Sequence, residues 1–371
     1  MRYSEIDGIR GYASLVVLFY HMVFTPFGHL GLGQNPGFIL FNATVAVHIF
    51  FILSGDALSA AFFASGSYKD VDKLLIKRYF RLTMPIFLSS WVVYLLMTNG
   101  LDFHLQAAQR TDNQVLLHYL PQRPDFGQML IYSLSGVYLD YNFQTQASFF
   151  ESLKTAYNPM FWTMAIEMCG SLLVFLFLYL FPRLANPHPI LLFLCAAFFI
   201  LSRSFSGFFF GVCLGYWRQK GWLENWRMDR RWQIISTVLL GAYVIGSGLY
   251  LDSTNRDINM ISATVLILLF YTNPFAISFF RMPFAKWLGA ISFPLYAIHF
   301  AVLISLTSGM ILWSIDHGGL TPTAMAIISG VSICVSVVAA CFLRWIEIPY
   351  LRFLNHIVTY ALDGDKPRKV D

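Results

Sequence analysis

Long apolar runs recur along the whole chain, and they constrain its fold more than any other feature. A helix that crosses a bilayer needs about 20 mostly apolar residues, and several of these runs reach that length. The runs cover 11–27, 41–64, 84–98, 159–182, 189–202, 204–217, 232–251, 258–280, 287–313 and 323–346. Only 12% of the 371 residues are charged, whereas soluble proteins average about a quarter. The sequence therefore predicts an all-α, polytopic membrane helix bundle of about ten transmembrane helices.

The distribution of basic residues orients this bundle. If the N-terminus is cytoplasmic, the only lysines and arginines on the outer side are Arg110, Arg123, Lys154, Arg203 and Arg256. This asymmetry follows the positive-inside rule and predicts that both termini are cytoplasmic. The formal charge of +5 then reflects membrane topology. Because the basic residues are dispersed among short loops, we expect the lipid bilayer and not a nucleic acid as the partner.

Two polar segments interrupt or follow the apolar runs. We predict a membrane domain over 1–351, which includes an extracytoplasmic loop at about 99–158, and a cytoplasmic tail over 352–371 whose charged end is disordered. Loops of this length are usually functional or disordered, so the loop is interpreted as an ordered cap for a polar acceptor or as a plain connection. Its polar and aromatic residues include Asp102, His104, Asp112, His118, Asp125, Tyr132, Tyr138, Asp140, Tyr141, Phe143 and Glu151.

Ionisable residues inside the apolar runs are candidates for a function, because a charge at mid-bilayer costs about 2.5–3.5 kcal/mol on insertion scales. In a helix, Arg10 and His21 share one stripe, since eleven steps turn through about 1100°, close to three full turns. His21, Glu167 and His299 each lie about 13–18 Å from a membrane face and therefore near mid-depth. They predict a buried site, although a packing role or a proton-coupled transporter would use the same residues.

Two further features concern possible ligands. Arg78 and Arg81 are three residues apart and share a helix face near the cytoplasmic side. They are interpreted either as lipid-facing topology signals or as guanidinium groups that hold a phosphorylated ligand. The five cysteines lie in apolar runs, without the spacing of metal ligands or a CxxC pair, so we expect no metal site.

In their order along the chain, these pieces resemble acyltransferase family 3, integral membrane enzymes that acylate hydroxyl groups of cell-surface glycans and related acceptors. Arg10 and His21 have the R-x10-H spacing of the family. The remaining matches are FFILSG at 50–55, RYFR at 78–81, FWTMAIE at 161–167, LGAISFPLYAIH at 288–299 and EIP at 347–349.

The resemblance implies a set of roles. His21 would be the catalytic base, supported by Arg10 and Glu167, and Arg78 and Arg81, with Arg10, would hold the acyl-coenzyme A donor. Ser292, Tyr296 and His299 would bind substrate. No permanently bound cofactor is implied. The donor would be acetyl- or another short acyl-coenzyme A, and the acceptor a glycan or lipid-linked glycan at the bacterial inner membrane.

Two residues depart from the family pattern. Asp56 stands where the family usually has an apolar residue, so it could bond Arg78, face water or affect the choice of acyl group. Phe293 stands where tyrosine is common.

The acceptor is expected to be an envelope polysaccharide or its precursor. The alternatives are a small exported metabolite such as a macrolide, or a transporter of a polar solute or acyl group that completes no transfer.

Overall fold

The computed structural model describes residues 3–31, 38, 41–117, 123–139, 156–250 and 255–363. Within these ranges the chain is helical and contains no β-strand. The helices of its first half are α1 (Ser4–Phe19), α2 (Thr25–Phe27), α3 (Ala43–Ser65), α4 (Tyr68–Thr98), α5 (His104–Thr111), α6 (Gln114–Leu117), α7 (Phe126–Ile131), α8 (Val137–Leu139) and α9 (Thr163–Leu180). The all-α prediction is confirmed for these residues.

The second half continues in the same way. Its helices are α10 (Pro187–Leu201), α11 (Arg203–Gln219), α12 (Trp222–Met228), α13 (Arg230–Tyr250), α14 (Arg256–Thr272), α15 (Pro274–Phe280), α16 (Pro283–Val302), α17 (Ser308–Asp316) and α18 (Pro322–Asp363). Helix α18 has 42 residues and continues past residue 351, where we expected the tail to begin. Residues 364–371, the end of that tail, lie outside the described ranges.

The long helices follow the order of the predicted spans. In the described part of the chain, six helices are long and apolar enough to cross a membrane: Ser4–Leu30, Ala43–Ser65, Tyr68–Thr98, Pro159–Arg183, Pro283–Asp316 and Pro322–Leu362. The pair α14 and α15, bent by 93°, makes a seventh if it is one span. Helices α10, α11 and α13 occupy the positions of the three other predicted spans, but they are not among the helices that are both long and apolar enough to cross a membrane. The chain is thus a membrane protein, while the number of ten spans and the cytoplasmic termini stay predictions.

Glycines bring two pairs of helices into backbone contact. A Cβ atom added at Gly55 of α3 would lie 1.9 Å from the carbonyl oxygen of Phe208 in α11. A Cβ atom added at Gly11 of α1 would lie 2.6 Å from the backbone nitrogen of Gly289 in α16. Only glycine permits such an approach. These two contacts set the spacing of the central helices, and α1 also packs on α3.

Part of the predicted extracytoplasmic loop lies along α4. The Phe126 ring is 5.7 Å from that of Tyr94 near the C-terminal end of α4, whereas the Tyr138 hydroxyl lies 2.8 Å from the Thr83 hydroxyl, three turns earlier. The segment from α7 to α8 therefore runs antiparallel to α4. The loop residues His118, Asp140, Tyr141, Phe143 and Glu151 lie outside the described residues.

Candidate functional site

A cavity of about 170 Å³ lies among α1, α3, α4, α9 and α16. Its polar lining consists of Arg10, Ser54, Arg78, Arg81, Thr163, Glu167, Ser292 and Tyr296. All three arginines singled out in the sequence thus meet at one cavity, together with Glu167 and two of the predicted substrate-binding residues. Helix α4 begins at Tyr68, so Arg78 and Arg81 lie inside a continuous helix and not in a connection before it.

Glu167 and Arg78 form an ion pair at the wall of this cavity. The Arg78 guanidinium donates to Glu167 Oε1 through Nη2 and to the Ser171 hydroxyl through Nε at 2.8 Å. The Ser54 hydroxyl donates to the same Glu167 oxygen. Both charged side chains keep some exposure, 13% for Arg78 and 11% for Glu167. The pair is therefore held in place but remains accessible from the cavity.

Arg10 differs from Arg78 in its bonding. It is half-buried and lies within electrostatic range of Asp7 and Glu167, yet no hydrogen bond or ion pair ties its guanidinium to another described residue. Since no described residue bonds its five N–H donors, these can bind an anionic group in the cavity. Arg81 also lines the cavity and is exposed at its edge.

His21 and His299 form a second group next to the cavity. Their ring centroids are 5.0 Å apart, and the ring planes meet at 30°. His21 Nδ1 lies 3.2 Å from the Thr25 hydroxyl. His299 Nδ1 lies 3.2 Å from the Leu295 carbonyl oxygen. A carbonyl can only accept, so this bond places the proton on Nδ1 and leaves a lone pair on His299 Nε2. That buried Nε2 has no partner among the described residues.

Tyr296 connects the two groups. It lines the cavity, and its ring centroid is 5.9 Å from that of His299. Its hydroxyl donates to the Met160 carbonyl, so the Thr163 hydroxyl, 2.9 Å away, is the donor in the other bond. Ser292, one turn before Tyr296, donates to the Gly289 carbonyl within its own helix at 2.9 Å.

The predicted site residues therefore fall into two neighbouring groups. The arginines, Glu167, Ser292 and Tyr296 surround the cavity, whereas His21 and His299 pair beside it. Glu167 contacts Arg78 and not His21, and Thr25 is the group that contacts the His21 ring. Sequence reasoning missed Thr25, although its position four residues after His21 indicates a shared helix face. It also missed Ser171, which stands in the same relation to Glu167.

Asp56 belongs to a separate cluster. Its carboxylate is fully buried and accepts two hydrogen bonds from Arg218, each of 2.7 Å, and a third from the Tyr271 hydroxyl at 2.6 Å. The possible bond to Arg78 is therefore wrong, and Arg218 takes that place. Within the described ranges, no group of three or more histidine, cysteine, aspartate or glutamate side chains could hold a metal ion.

Comparisons with known proteins add the family. The family model described as "Acyltransferase domain" matches residues 3–343, which include every site residue discussed above. No curated protein matches the chain, and no solved structure matches it. Since the family match covers nearly the whole chain, including the two groups around the cavity, the chain belongs to acyltransferase family 3.

Proposed function

We propose that this membrane acyltransferase is an O-acyltransferase of the bacterial inner membrane. It moves an acetyl or other short acyl group from acyl-coenzyme A to a hydroxyl of a cell-surface or exported glycan or its lipid-linked precursor. One observation carries the proposal: Arg10, Arg78 and Arg81 meet at one cavity, and Tyr296 links that cavity to a pair of imidazoles.

The donor is assigned to the arginine side. Coenzyme A carries several phosphates, for which the planar guanidinium group is well suited. The cavity, about 170 Å³, is smaller than pockets that enclose drug-sized ligands. It suits the narrow thioester arm, while the nucleotide stays at the cytoplasmic end. A donor phosphate that binds Arg78 takes over the place of the Glu167 carboxylate, whereas Arg10, which no described residue bonds, needs no such exchange.

The reaction is assigned to the imidazole side. His21 accepts the proton of the acceptor hydroxyl, and the oxygen attacks the thioester carbonyl carbon. The tetrahedral intermediate then breaks its carbon–sulfur bond, and the coenzyme A thiolate takes the proton back from the imidazolium. His299 Nε2 carries a lone pair, so in this tautomer it accepts a hydrogen bond and does not donate one to the oxyanion. Tyr296 is then the donor suited to the oxyanion, and its one O–H serves it by leaving the Met160 carbonyl during the reaction.

The acceptor is assigned to the outer side. A glycan hydroxyl reaches the histidine pair from the loop at 99–158, opposite the donor. The same chemistry applies to a small exported metabolite such as a macrolide, so the acceptor must be identified by experiment.

The test uses purified protein in lipid and acyl-coenzyme A labelled in its acyl group, with an envelope-glycan extract as acceptor. We expect label in the glycan, its loss in His21→Ala, and a higher donor requirement in the double variant Arg78→Ala with Arg81→Ala. Arg352→Ala, at an exposed arginine of α18 outside the cavity, is the control and should match the parent. Donor binding without any transfer to glycan or small acceptors would favour a transporter. Absence of donor binding would overturn the proposal.

A further inference from the structure

Two buried asparagines of the outer segment donate to the backbones of the histidine-bearing helices. Asn113 Nδ2 lies 2.9 Å from the Thr25 carbonyl oxygen and 3.2 Å from that of Pro26. Asn158 Nδ2 lies 3.0 Å from the Ala297 carbonyl oxygen. Asn113 is 2% exposed and Asn158 is 0% exposed, so solvent does not compete for these bonds.

Both contacts lie within about one helical turn of an imidazole. Thr25 follows His21 by four residues, and its hydroxyl contacts His21 Nδ1 at 3.2 Å. Ala297 precedes His299 by two residues. Each asparagine therefore fixes the backbone at the point from which one ring of the pair projects.

The two helices are irregular at these points and gain from external support. Residues Tyr20–Phe24, which include His21, form a π-helical turn. Helix α16 contains Pro294 before His299 and passes into a second π-helical turn at Leu303–Thr307. A proline or a π turn breaks the regular i→i−4 hydrogen bonding of a helix. The backbone near each imidazole is thus less well held by its own helix than an unbroken helix would be.

The other end of each asparagine side chain is also fixed. Asn113 Oδ1 accepts from the backbone nitrogens of Val115 and Leu116 at 3.0 and 3.2 Å. Asn158 Oδ1 accepts from the backbone nitrogen of Met160 at 3.0 Å. Because both ends of each amide are used, each side chain is a short rigid connection between the outer segment and a histidine-bearing helix.

We infer that Asn113 and Asn158 are positioning residues, which hold the His21 and His299 rings at their working separation from the outer side. The inference rests on the proposed function, because it gives the separation of the rings a role in acyl transfer. A displacement of about 1 Å at a reacting group can lower the rate about a hundredfold. Two hydrogen-bonded side chains at this distance from the rings therefore have a large effect on turnover without touching the substrate.

A purely structural role is the competing explanation, and Asn42 is the matched control. Asn42 is also 2% exposed. Its Oδ1 accepts from the backbone nitrogen of Val45 at 3.1 Å, and its Nδ2 donates to Asn259 at 3.0 Å. It thus has the same bonding pattern as Asn113 but connects α3 and α14. Asn42→Ala measures the cost of losing a buried asparagine away from the histidine pair.

The kinetic test compares Asn113→Ala, Asn158→Ala and Asn42→Ala in the labelled-transfer assay. We expect the first two to lower kcat about tenfold to a hundredfold without raising the KM for the donor, and Asn42→Ala to leave kcat at the parent value. Asn113→Asp keeps the acceptor oxygen and removes the donor, so it should reproduce Asn113→Ala. In the double variant Asn113→Ala with Asn158→Ala, the fold-loss in kcat should be smaller than the product of the two single fold-losses. Both substitutions disturb the same separation, that of the His21 and His299 rings.

A second measurement needs no substrate. Diethyl pyrocarbonate acylates neutral imidazole nitrogens, and mass spectrometry follows its reaction with each histidine. Asn113→Ala should speed the modification of His21, and Asn158→Ala that of His299, whereas Asn42→Ala should change neither rate. Unchanged rates in both test variants, or kcat losses equal to that of Asn42→Ala, would overturn the inference. Changed rates in a protein that transfers no acyl group would support the positioning role and reject the proposed function.

Discussion

The pairs Arg218–Asp56 and Arg78–Glu167 have the same chemistry, but their carboxylates have different environments. Arg218 grips Asp56 with two parallel hydrogen bonds of 2.7 Å, and its guanidinium lies 4.2 Å from the centre of the Tyr3 ring. Arg78 meets Glu167 through one oxygen only, and both side chains face the cavity. The Asp56 carboxylate is fully buried, although Arg218 itself is 16% exposed and lines a smaller cavity of about 90 Å³, whereas the Glu167 carboxylate is open to its cavity. We call Arg218–Asp56 the closed pair and Arg78–Glu167 the open pair, after their carboxylates.

This difference separates a structural pair from an exchangeable one. Removing one member of a buried pair leaves an uncompensated charge and costs about 3–5 kcal/mol. At the open pair, an anion that enters the cavity can replace the carboxylate, so the arginine does not become an unpaired charge. Burial and bonding pattern therefore distinguish the two roles, although both pairs consist of an arginine and an acid on membrane helices.

The largest expected effect is at the closed pair. Asp56→Ala should lower the free energy of unfolding by about 3–5 kcal/mol, because the largely buried Arg218, 16% exposed, would lose its partner. Denaturant titration in detergent, or the yield of folded protein, would measure the loss. Asp316→Ala is the control: its bond to Arg110 joins side chains that are 54% and 44% exposed, and exposed pairs contribute little. Equal losses in the two variants would refute the closed-pair interpretation.

An intermediate effect is expected at the open pair. Glu167→Gln should lower the free energy of unfolding by about 1.5–3 kcal/mol, the range for a hydrogen bond to a charged group. It should also tighten coenzyme A binding, because the ligand no longer has to displace a carboxylate from Arg78. Denaturant titration would measure the change in the free energy of unfolding. Calorimetric titration with coenzyme A at low salt would measure the change in binding. Weaker binding in Glu167→Gln would mean that the carboxylate holds Arg78 in place for the donor and does not compete with it.

Sequence reasoning brought the two histidines together but did not predict the partner of Glu167. Apolar run length and helix rise predict a similar depth for His21 and His299, and their rings are indeed adjacent. The same reasoning predicts that Glu167 lies near mid-depth, yet its partner is Arg78, which lies 89 residues away along the chain. Depth is a property of a single helix, whereas a pairing depends on how two helices are rotated and spaced.

Asp56 illustrates the same limit more sharply. Arg78 and Arg218 were both inner-side arginines in the sequence, and only the packing of α3 against α11 decides between them. That packing depends on the backbone contact at Gly55. Single glycines in apolar runs are common, and the sequence does not indicate which neighbouring helix packs against a given one. Asn113 and Asn158 were missed for a related reason, because their roles depend on contacts with distant backbone carbonyls.

The smallest expected effect concerns a third kind of buried ionisable group, one without any charged partner. His104 in α5 is 1% exposed, and burial lowers its pKa from 6.5 to about 4. Between these pH values the unfolded chain binds the proton and the folded chain does not, so stability is lost as the pH falls below about 6.5. We expect a loss of about 1 kcal/mol near pH 6.

Thermal melting at neutral pH and near pH 6 would measure this loss. His104→Leu should reduce the pH dependence by about this amount, because leucine fills the buried site without titrating. His317→Gln, at an exposed histidine, is the control and should keep the full pH dependence. A pH dependence that is equally large in His104→Leu and in the parent would contradict this interpretation of His104.

The backbone contact between α1 and α16 has a mechanical consequence. At Gly11 and Gly289 the two helices touch, so their axes cannot come closer there, and a relative motion that keeps this contact tilts one helix about it. His21 lies ten residues further along, about 15 Å from the pivot. A tilt of about 4° about that pivot moves the ring by about 1 Å. The glycine contact thus fixes the spacing of the two helices at one end, so the separation of the imidazoles depends on the contacts that hold the helices near His21 and His299.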